Sequence, residues 1–216
     1  MSESHVIQPH LFTALGQAVA AYHPDTFEHS VRVGVHARGV AEVLALGPED
    51  VELVGWAGLL HDIGKLGVPE RILSQSGQLH VREWELVRRH ATAGANVLEA
   101  LSPDLRPLAS VIACHHEHWD GSGYPHGLRG DEIPVLGRIL ALTDVYDSLT
   151  HARPYRHGRY SPGQARHAIE RGQGTHFDPA LVEAFVTTLA PHREREEAGG
   201  ASLAALVAAG DIDRTD

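Results

Sequence analysis

Apolar residues recur at helical spacing through most of the sequence, and this pattern constrains the fold more than any other feature of the chain. In one segment Leu53, Trp56, Leu59 and Leu60 fall on a single helical face. No stretch of strand length alternates apolar and polar residues convincingly, and no internal repeat is evident. The sequence therefore predicts an all-α fold.

Glycine and proline separate the predicted helices and set their limits. These helices cover residues 11–22, 25–46, 49–63, 81–101, 105–116, 133–149 and 178–189. We expect one domain over residues 23–190, preceded by an N-terminal helix in residues 1–22. Residues 191–216 are charged and then alanine-rich, so this tail is predicted to be either a short helix or disordered.

The composition excludes several classes of function. The formal net charge of −10 disfavours binding to a nucleic-acid duplex, which depends on lysine and arginine neutralising phosphates. The sequence contains no apolar run of about 18 residues, so no membrane span is expected. The N-terminus lacks the pattern of a signal peptide, and the single cysteine, Cys114, fits a reducing compartment. A cytoplasmic protein without a membrane partner is predicted.

Three polar groups stand at or inside apolar helices. His61 and Asp62 are adjacent at the end of one helix, where side chains about 100° apart can face one cavity. His115 and His116 end another helix, and Asp144 lies on a predicted core face. Each group has a plain structural explanation: a capping pair, a solvated polar cluster and a hydrogen-bonded buried carboxylate. Each also has the residue types that bind transition metals.

Further motifs place these groups in a known pattern. The matching segments are HSVRV from His29, LLHDIGKLGVPERIL from Leu59, QLHVREWELVRRH ending at His90, HHEHWDGSGYPHGLRGDEIP from His115, RILALTDVYDSLTHARPYR from Arg138 and FDPALVEAF from Phe177. Together they resemble the HD-GYP family, a branch of the HD phosphohydrolase superfamily. The resemblance extends over about residues 23–188 and implies an HD-domain helical bundle with a GYP loop.

The resemblance also implies a metal centre. Two divalent transition metals, iron or manganese, are expected, with Asp62 bridging both. The implied ligands of the first metal are His29, His61, Asp62 and Asp144, and those of the second are Asp62, His90, His115 and His116. Some family members hold a third metal through an acidic residue at the position of Asp25. Asp25 and Glu28 also fit a capping box at the start of a helix, which is the alternative explanation of that position.

The implied activity is hydrolysis of cyclic di-GMP to pGpG and onward to GMP by a metal-activated hydroxide, with Asp62 and Lys65 as catalytic residues. The resemblance assigns substrate contacts to six residues: Lys65, Gly123, Tyr124, Pro125, Arg153 and Arg156. His118 stands where the family usually has arginine, and Arg156 where lysine is commoner. Two alternatives stay open: a phosphodiesterase for another cyclic dinucleotide, and a non-catalytic cyclic di-GMP sensor or docking module. A diguanylate cyclase or a sensor protein acting in trans is the expected protein partner.

Overall fold

A computed structural model describes residues 9–75, 77–151 and 159–189 of the chain. Its helices are α1 (Pro9–Tyr22), α2 (Pro24–Val43), α3 (Pro48–Leu60), α4 (Glu70–Leu73), α5 (Val81–Arg88), α6 (His90–Leu101), α7 (Arg106–Ala113), α8 (Val135–Thr150), α9 (Pro162–Arg171) and α10 (Pro179–Leu189). Short 3-10 helices span Ile63–Gly67, Pro103–Leu105 and Gly130–Glu132. The described residues include no β-strand, only an isolated bridge, so the prediction of an all-α fold is confirmed.

Helices α2 and α3 form the centre of the fold. Helix α2 packs against α3, α8, α10 and α1, and α3 also packs against α7 and α8. The contact between α2 and α3 is close because of glycine: a Cβ at Gly58 would lie 2.3 Å from the Cα of Gly34. The pairing therefore brings the end of α3, where His61 lies, against the middle of α2.

A second close approach positions the 3-10 turn that follows His61 and Asp62. A Cβ added at Gly64 would lie 1.9 Å from the backbone oxygen of His90, so no larger residue fits without a shift of the backbone. The turn packs against α6 as a result. This contact holds the end of α3 beside the start of α6.

Helix α1 packs into the same core as the rest of the chain. Phe12 is 1% exposed and its ring lies 5.1 Å from the ring of Trp56. The hydroxyl of Tyr22 donates a hydrogen bond to the backbone oxygen of Val68 at 2.8 Å. The predicted division between residues 22 and 23 stays a prediction, and the tail over 191–216 lies outside the described residues.

Several predicted helix limits were wrong, and helix α4 was not predicted. The helix expected over residues 81–101 is two helices, α5 and α6, because the chain turns at Arg89 and the His90 ring bonds to the backbone oxygen of Val87. The helix expected over 105–116 ends at Ala113, and α9 was not predicted. No helix within the described ranges is long and apolar enough to cross a membrane.

Candidate metal centre

All seven predicted metal ligands come together in the structure. Their candidate ligand atoms include two groups in which every atom lies within 4.8 Å of the others: His29, His61 and Asp62 form one, and His90, His115 and His116 form the other. His29 comes from the middle of α2, His61 follows α3, His90 begins α6, and the tandem histidines follow α7. With Asp144 on α8, the seven residues span positions 29 to 144 of the sequence and meet in one place.

Asp62 lies between the two groups. Its Oδ2 atom is 3.3 Å from Nε2 of His61, and its Oδ1 atom is 3.4 Å from Nε2 of His90. Asp144, on α8, presents Oδ1 to Nε2 of His29 at 3.0 Å and to Nε2 of His61 at 3.9 Å. Asp62 thus has one oxygen near a histidine of each group, and its role as a bridging ligand stays a prediction.

Backbone carbonyls fix the orientation of three of the imidazole rings. The Nδ1 atoms of His61, His90 and His115 each contact the carbonyl oxygen three residues earlier in the chain, at 2.8, 2.5 and 2.5 Å. A carbonyl only accepts hydrogen bonds, so each Nδ1 holds the ring proton and each Nε2 of a neutral ring is left with a bare lone pair. The three lone pairs point toward the interior of the site.

The distances between these nitrogens favour a bound cation. Nε2 of His90 lies 3.2 Å from Nε2 of His115, and both rings have their proton on Nδ1. Two unprotonated nitrogens at that distance repel unless a positive ion accepts both lone pairs. Nε2 of His29 likewise lies 3.0 Å from a carboxylate oxygen of Asp144 without a hydrogen-bond partner. Here too, two atoms with lone pairs face each other. Imidazole and carboxylate ligands suit iron, manganese and zinc.

The pKa values of the buried histidines favour their neutral, ligand form. Burial, with smaller contributions from Lys65 and His61, lowers the pKa of His90 to about 4. Burial and the neighbouring histidines hold the pKa of His115 well below its usual range. Burial also lowers the pKa of His116 to about 3, against the pull of Asp144. His61 differs: its burial would lower the pKa, but Asp62 raises it, so a cation must displace a proton there.

The two carboxylates are held in their charged form. Burial alone would raise the pKa of Asp62, but His61 and Lys65 lower it well below the usual range. The pKa of Asp144 is likewise depressed: its burial is outweighed by the neighbouring His29 ring, 3.0 Å away, and by His61. Anionic aspartates beside neutral histidines form the set of donors that a divalent cation needs.

Asp147 belongs to the site but was missed in the sequence analysis. It is fully buried, and its Oδ2 accepts a hydrogen bond from Nδ1 of His29 at 2.6 Å. Arg32 donates from Nε to Oδ1 of the same carboxylate at 2.7 Å, and Nδ1 of His151 lies 3.0 Å from Oδ1. Asp147 follows Asp144 by three residues, which places both acids on one side of α8. This spacing is the sequence feature from which its position at the site could have been predicted.

Lys65 and Tyr124 line a cavity beside the histidines. Nζ of Lys65 lies 2.5 Å from Oδ2 of Asp62. The ring of Tyr124 stacks on His116 at 4.7 Å, and the guanidinium of Arg88 lies 4.4 Å from the Tyr124 ring centre. The cavity has a volume of about 670 Å³ and includes Asp62, His90 and Asp144 in its wall. Its volume falls within the range of small-molecule sites, about 300–1,000 Å³.

Glu117 holds the loop that contains Tyr124, and this role was also missed. It is 2% exposed, and its carboxylate accepts hydrogen bonds from the backbone N–H groups of His126 at 2.7 Å and Leu128 at 3.1 Å. A Cβ at Gly123 would lie 2.3 Å from the backbone nitrogen of His118, so the loop returns closely onto the segment of the tandem histidines. Pro125 is exposed next to Tyr124.

Asp25 is a predicted site residue that belongs to neither metal group. It is exposed in the first turn of α2 and lines a cavity next to the one at the metal groups. The residue that precedes α2 is His23, with Pro24 first in the helix, so the predicted capping box of Asp25 and Glu28 was wrong. Arg153 and Arg156 lie outside the described residues.

The comparisons with known proteins agree with this geometry. The profile of the HD domain family matches residues 14–181. The chain belongs to the HD domain family. Its resemblance to HD-GYP proteins is confirmed by its relatives and structural neighbours.

Two relatives illustrate the similarity in sequence. A cyclic di-GMP phosphodiesterase of Thermotoga maritima is 39% identical over 163 residues, which is 75% of this chain and 44% of that protein. The 3'3'-cGAMP-specific phosphodiesterase 3 of Vibrio cholerae is 44% identical over 179 residues, or 83% of this chain and 38% of that protein. The chain thus spans less than half the length of these relatives.

Two solved structures have the same fold. A cyclic GMP-AMP specific phosphodiesterase of Vibrio cholerae aligns with a TM-score of 0.65 at 20% identity, covering 95% of this chain and 54% of the other. An HD-GYP protein of Bdellovibrio bacteriovorus aligns with a TM-score of 0.64 at 18% identity, covering 83% and 62%. At these identities the likeness concerns the helical architecture.

Proposed function

We propose that this chain is a metal-dependent phosphodiesterase that hydrolyses cyclic di-GMP to pGpG and onward to GMP. The observation on which the proposal rests is the position of Asp62, whose two oxygens face histidine nitrogens of different groups. Carboxylate-bridged pairs of cations are a recurring device for phosphodiester hydrolysis. The cyclic di-GMP phosphodiesterase of Thermotoga maritima, at 39% identity, supports the choice of substrate.

Seven residues would hold two cations, iron or manganese. His29, His61, Asp62 and Asp144 would hold one, and Asp62, His90, His115 and His116 the other. Bound cations would supply an activated water at neutral pH and offset charge on the phosphate. A third cation near Asp25 stays a prediction from the family resemblance.

The residues of the chain would bind and orient the substrate around this centre. Lys65 lies at the edge of the cavity with its Nζ beside Asp62, so it can turn to a phosphate oxygen when cations occupy the carboxylate. Tyr124, fixed against His116, borders the same space. The resemblance alone assigns a phosphate contact to Arg153 and Arg156. It also assigns a substrate contact to Gly123 and Pro125 of the loop.

A second substrate has support of its own. Phosphodiesterase 3 of Vibrio cholerae, specific for 3'3'-cGAMP, is 44% identical to this chain. Cyclic di-GMP and 3'3'-cGAMP differ in one base, and neither metal group contacts a base in the proposed mode. The choice between them must therefore depend on residues outside the metal centre.

The test is a turnover assay on the full chain, purified anaerobically and loaded with iron or manganese. We expect about two metal ions per chain and conversion of cyclic di-GMP to linear products. Asp62→Ala should lose both metals and all turnover, whereas Asp131→Ala, which removes an exposed carboxylate, should lose neither.

Several outcomes would contradict the proposal. A folded, metal-loaded chain that cleaves neither cyclic di-GMP nor 3'3'-cGAMP is not the proposed enzyme. If it binds the dinucleotide without cleavage, the sensor or docking function is favoured instead, with a diguanylate cyclase or sensor protein as its partner. Retention of one full metal equivalent in Asp62→Ala would contradict the bridging role.

A further inference from the structure

A second cavity adjoins the one at the metal groups. It has a volume of about 490 Å³ and lies between the start of α2, the segment after α4, and α5. Lys65, Trp84 and Val87 line both cavities. A ligand held at the metal groups can therefore extend past Lys65 into a neighbouring space without leaving the protein surface.

Helix α5 forms the shared wall, and its apolar residues are not used in the core. No residue of α5 is buried, and Trp84 is 50% exposed. An isolated helix of eight residues has little stability of its own, so packing must contribute to its order. The large apolar face of Trp84 lies toward the two cavities, where a flat apolar ligand would cover it.

A purine base has the chemistry that this space would accept. Its two faces are apolar and its edges are polar. The second cavity combines apolar side chains, Ile72, Leu73 and Leu79, with polar groups of Asp25 and Gln78. Apolar walls with a few polar groups are typical of small-molecule sites.

A cyclic dinucleotide can occupy both cavities at once. Each phosphate of the ring is flanked by a sugar with its base, so a base must lie a short distance from the phosphate that is cleaved. Trp84 lines the same cavity as Asp62, His90 and Asp144, and it also lines the second cavity. Lys65 lines both cavities as well, and its charge suits a phosphate of the ring.

We infer that Trp84 is the stacking surface for one purine base of a cyclic dinucleotide whose phosphodiester lies at the metal groups. The inference rests on the proposed function for the position of the phosphodiester. Helix α5 is then part of the substrate site. Trp84 raises the affinity for nucleotides relative to the affinity for phosphates that carry no base.

Three variants test this role in the metal-loaded full chain. Trp84→Ala removes the stacking surface, Trp84→Phe keeps an aromatic ring, and Leu86→Ala is the control because Leu86 is an exposed apolar residue of α5 that borders neither cavity. Binding of cyclic di-GMP and of ribose 5-phosphate, which has a phosphate but no base, is measured by calorimetry. KM and kcat for cyclic di-GMP are measured in parallel.

Stacking of one base on an aromatic side chain corresponds to about a ten- to hundredfold change in affinity. We expect Trp84→Ala to weaken binding of cyclic di-GMP by that factor and to raise its KM more than it lowers kcat. Trp84→Phe should recover most of the affinity, and Leu86→Ala should match the wild type. The ratio of affinities for cyclic di-GMP and ribose 5-phosphate should fall in Trp84→Ala alone.

The outcomes separate this inference from the proposed function. If the wild type cleaves cyclic di-GMP and Trp84→Ala binds it within twofold of the wild type, the stacking role is wrong and the function stands. If the wild type binds but never cleaves, the proposed function is wrong, while a loss of binding in Trp84→Ala still supports the base contact. An equal loss for both ligands, or no binding of cyclic di-GMP by any form, overturns the inference.

Discussion

Nδ1 of His29 lies 2.6 Å from Oδ2 of Asp147, across 118 residues of sequence. A carboxylate accepts this hydrogen bond, so the ring proton stays on Nδ1 and Nε2 is directed toward the metal site. Burial would raise the pKa of Asp147, but hydrogen bonds from His29 and Arg32 lower it to about 2. The carboxylate therefore stays charged near neutral pH, and it makes the His29 ring a stronger ligand.

We predict that Asp147→Asn lowers affinity for the cation held by His29. The amide keeps the shape of the carboxylate but loses its charge. Loss of the hydrogen-bond partner of a metal-binding histidine typically lowers metal affinity about 10–100-fold. Competition with a chelator of known affinity measures the change. Asp131→Asn serves as the control, because the Asp131 side chain is 90% exposed. An unchanged affinity in Asp147→Asn would show that the His29 ring is oriented by other contacts.

Lys65 should affect turnover and not metal content. Its ammonium pairs with Asp62 at 2.5 Å, yet it is not a possible ligand while protonated. A charge-assisted contact to phosphate contributes about 1.5–3 kcal/mol, so Lys65→Met should lower kcat/KM for cyclic di-GMP roughly ten- to hundredfold. Elemental analysis of the same sample should find the wild-type metal content. Loss of metal in Lys65→Met would mean that the lysine maintains the Asp62 geometry instead.

The metal groups could be predicted from sequence because their members stand out locally. His61 and Asp62 are adjacent at the end of a very apolar helix, and His115 and His116 are adjacent after another. Charged and polar residues are costly to bury without a partner or a metal, so these positions were candidates for a metal site, and the resemblance to the HD-GYP family decided between that and a structural role. The family motifs in the rest of the sequence indicated the other ligands, His29, His90 and Asp144.

The supporting contacts could not be predicted, because they depend on tertiary packing. Asp147 is recognisable only once α2 and α8 are placed side by side, which brings His29 to it. Glu117 follows the tandem histidines and resembles a further ligand in sequence, yet its carboxylate turns to backbone N–H groups of the loop. The break at Arg89 leaves the helical periodicity of the sequence intact, and only the contacts of His90 reveal it.

The metal-free chain should lose stability as the pH falls from about 6.5 to about 4. His90 and His116 have pKa values of about 4 and about 3 in the folded chain, below the ordinary value of 6.5. The unfolded state then binds more protons in that window, so the free energy of unfolding falls with the pH. His61 opposes the trend, since its raised pKa favours the folded state at low pH.

Thermal unfolding of the chelated protein between pH 7.5 and 4.5 measures this dependence. His116→Gln should flatten it, whereas His167→Gln, a change on the exposed face of α9, should leave it as in the wild type. A midpoint that rises as the pH falls would contradict the assignment of His90 and His116 as buried neutral rings.

Glu117 should control the position of Tyr124 without contacting substrate or metal. Its buried carboxylate accepts two backbone N–H groups of the loop, from His126 and Leu128, and each donor left unsatisfied costs about 1–3 kcal/mol. Glu117→Gln can keep only one acceptor oxygen, so we expect a lower Tm and a several-fold higher KM for cyclic di-GMP. The metal content should not change, because Glu117 is a member of neither group of ligands and its carboxylate is bound to the loop. Glu132→Gln is a matched control, since Glu132 accepts a single backbone N–H, from Arg129, at an exposed position. If Glu117→Gln instead loses metal while KM and Tm stay at wild-type values, Glu117 is a ligand and the loop is held by other contacts.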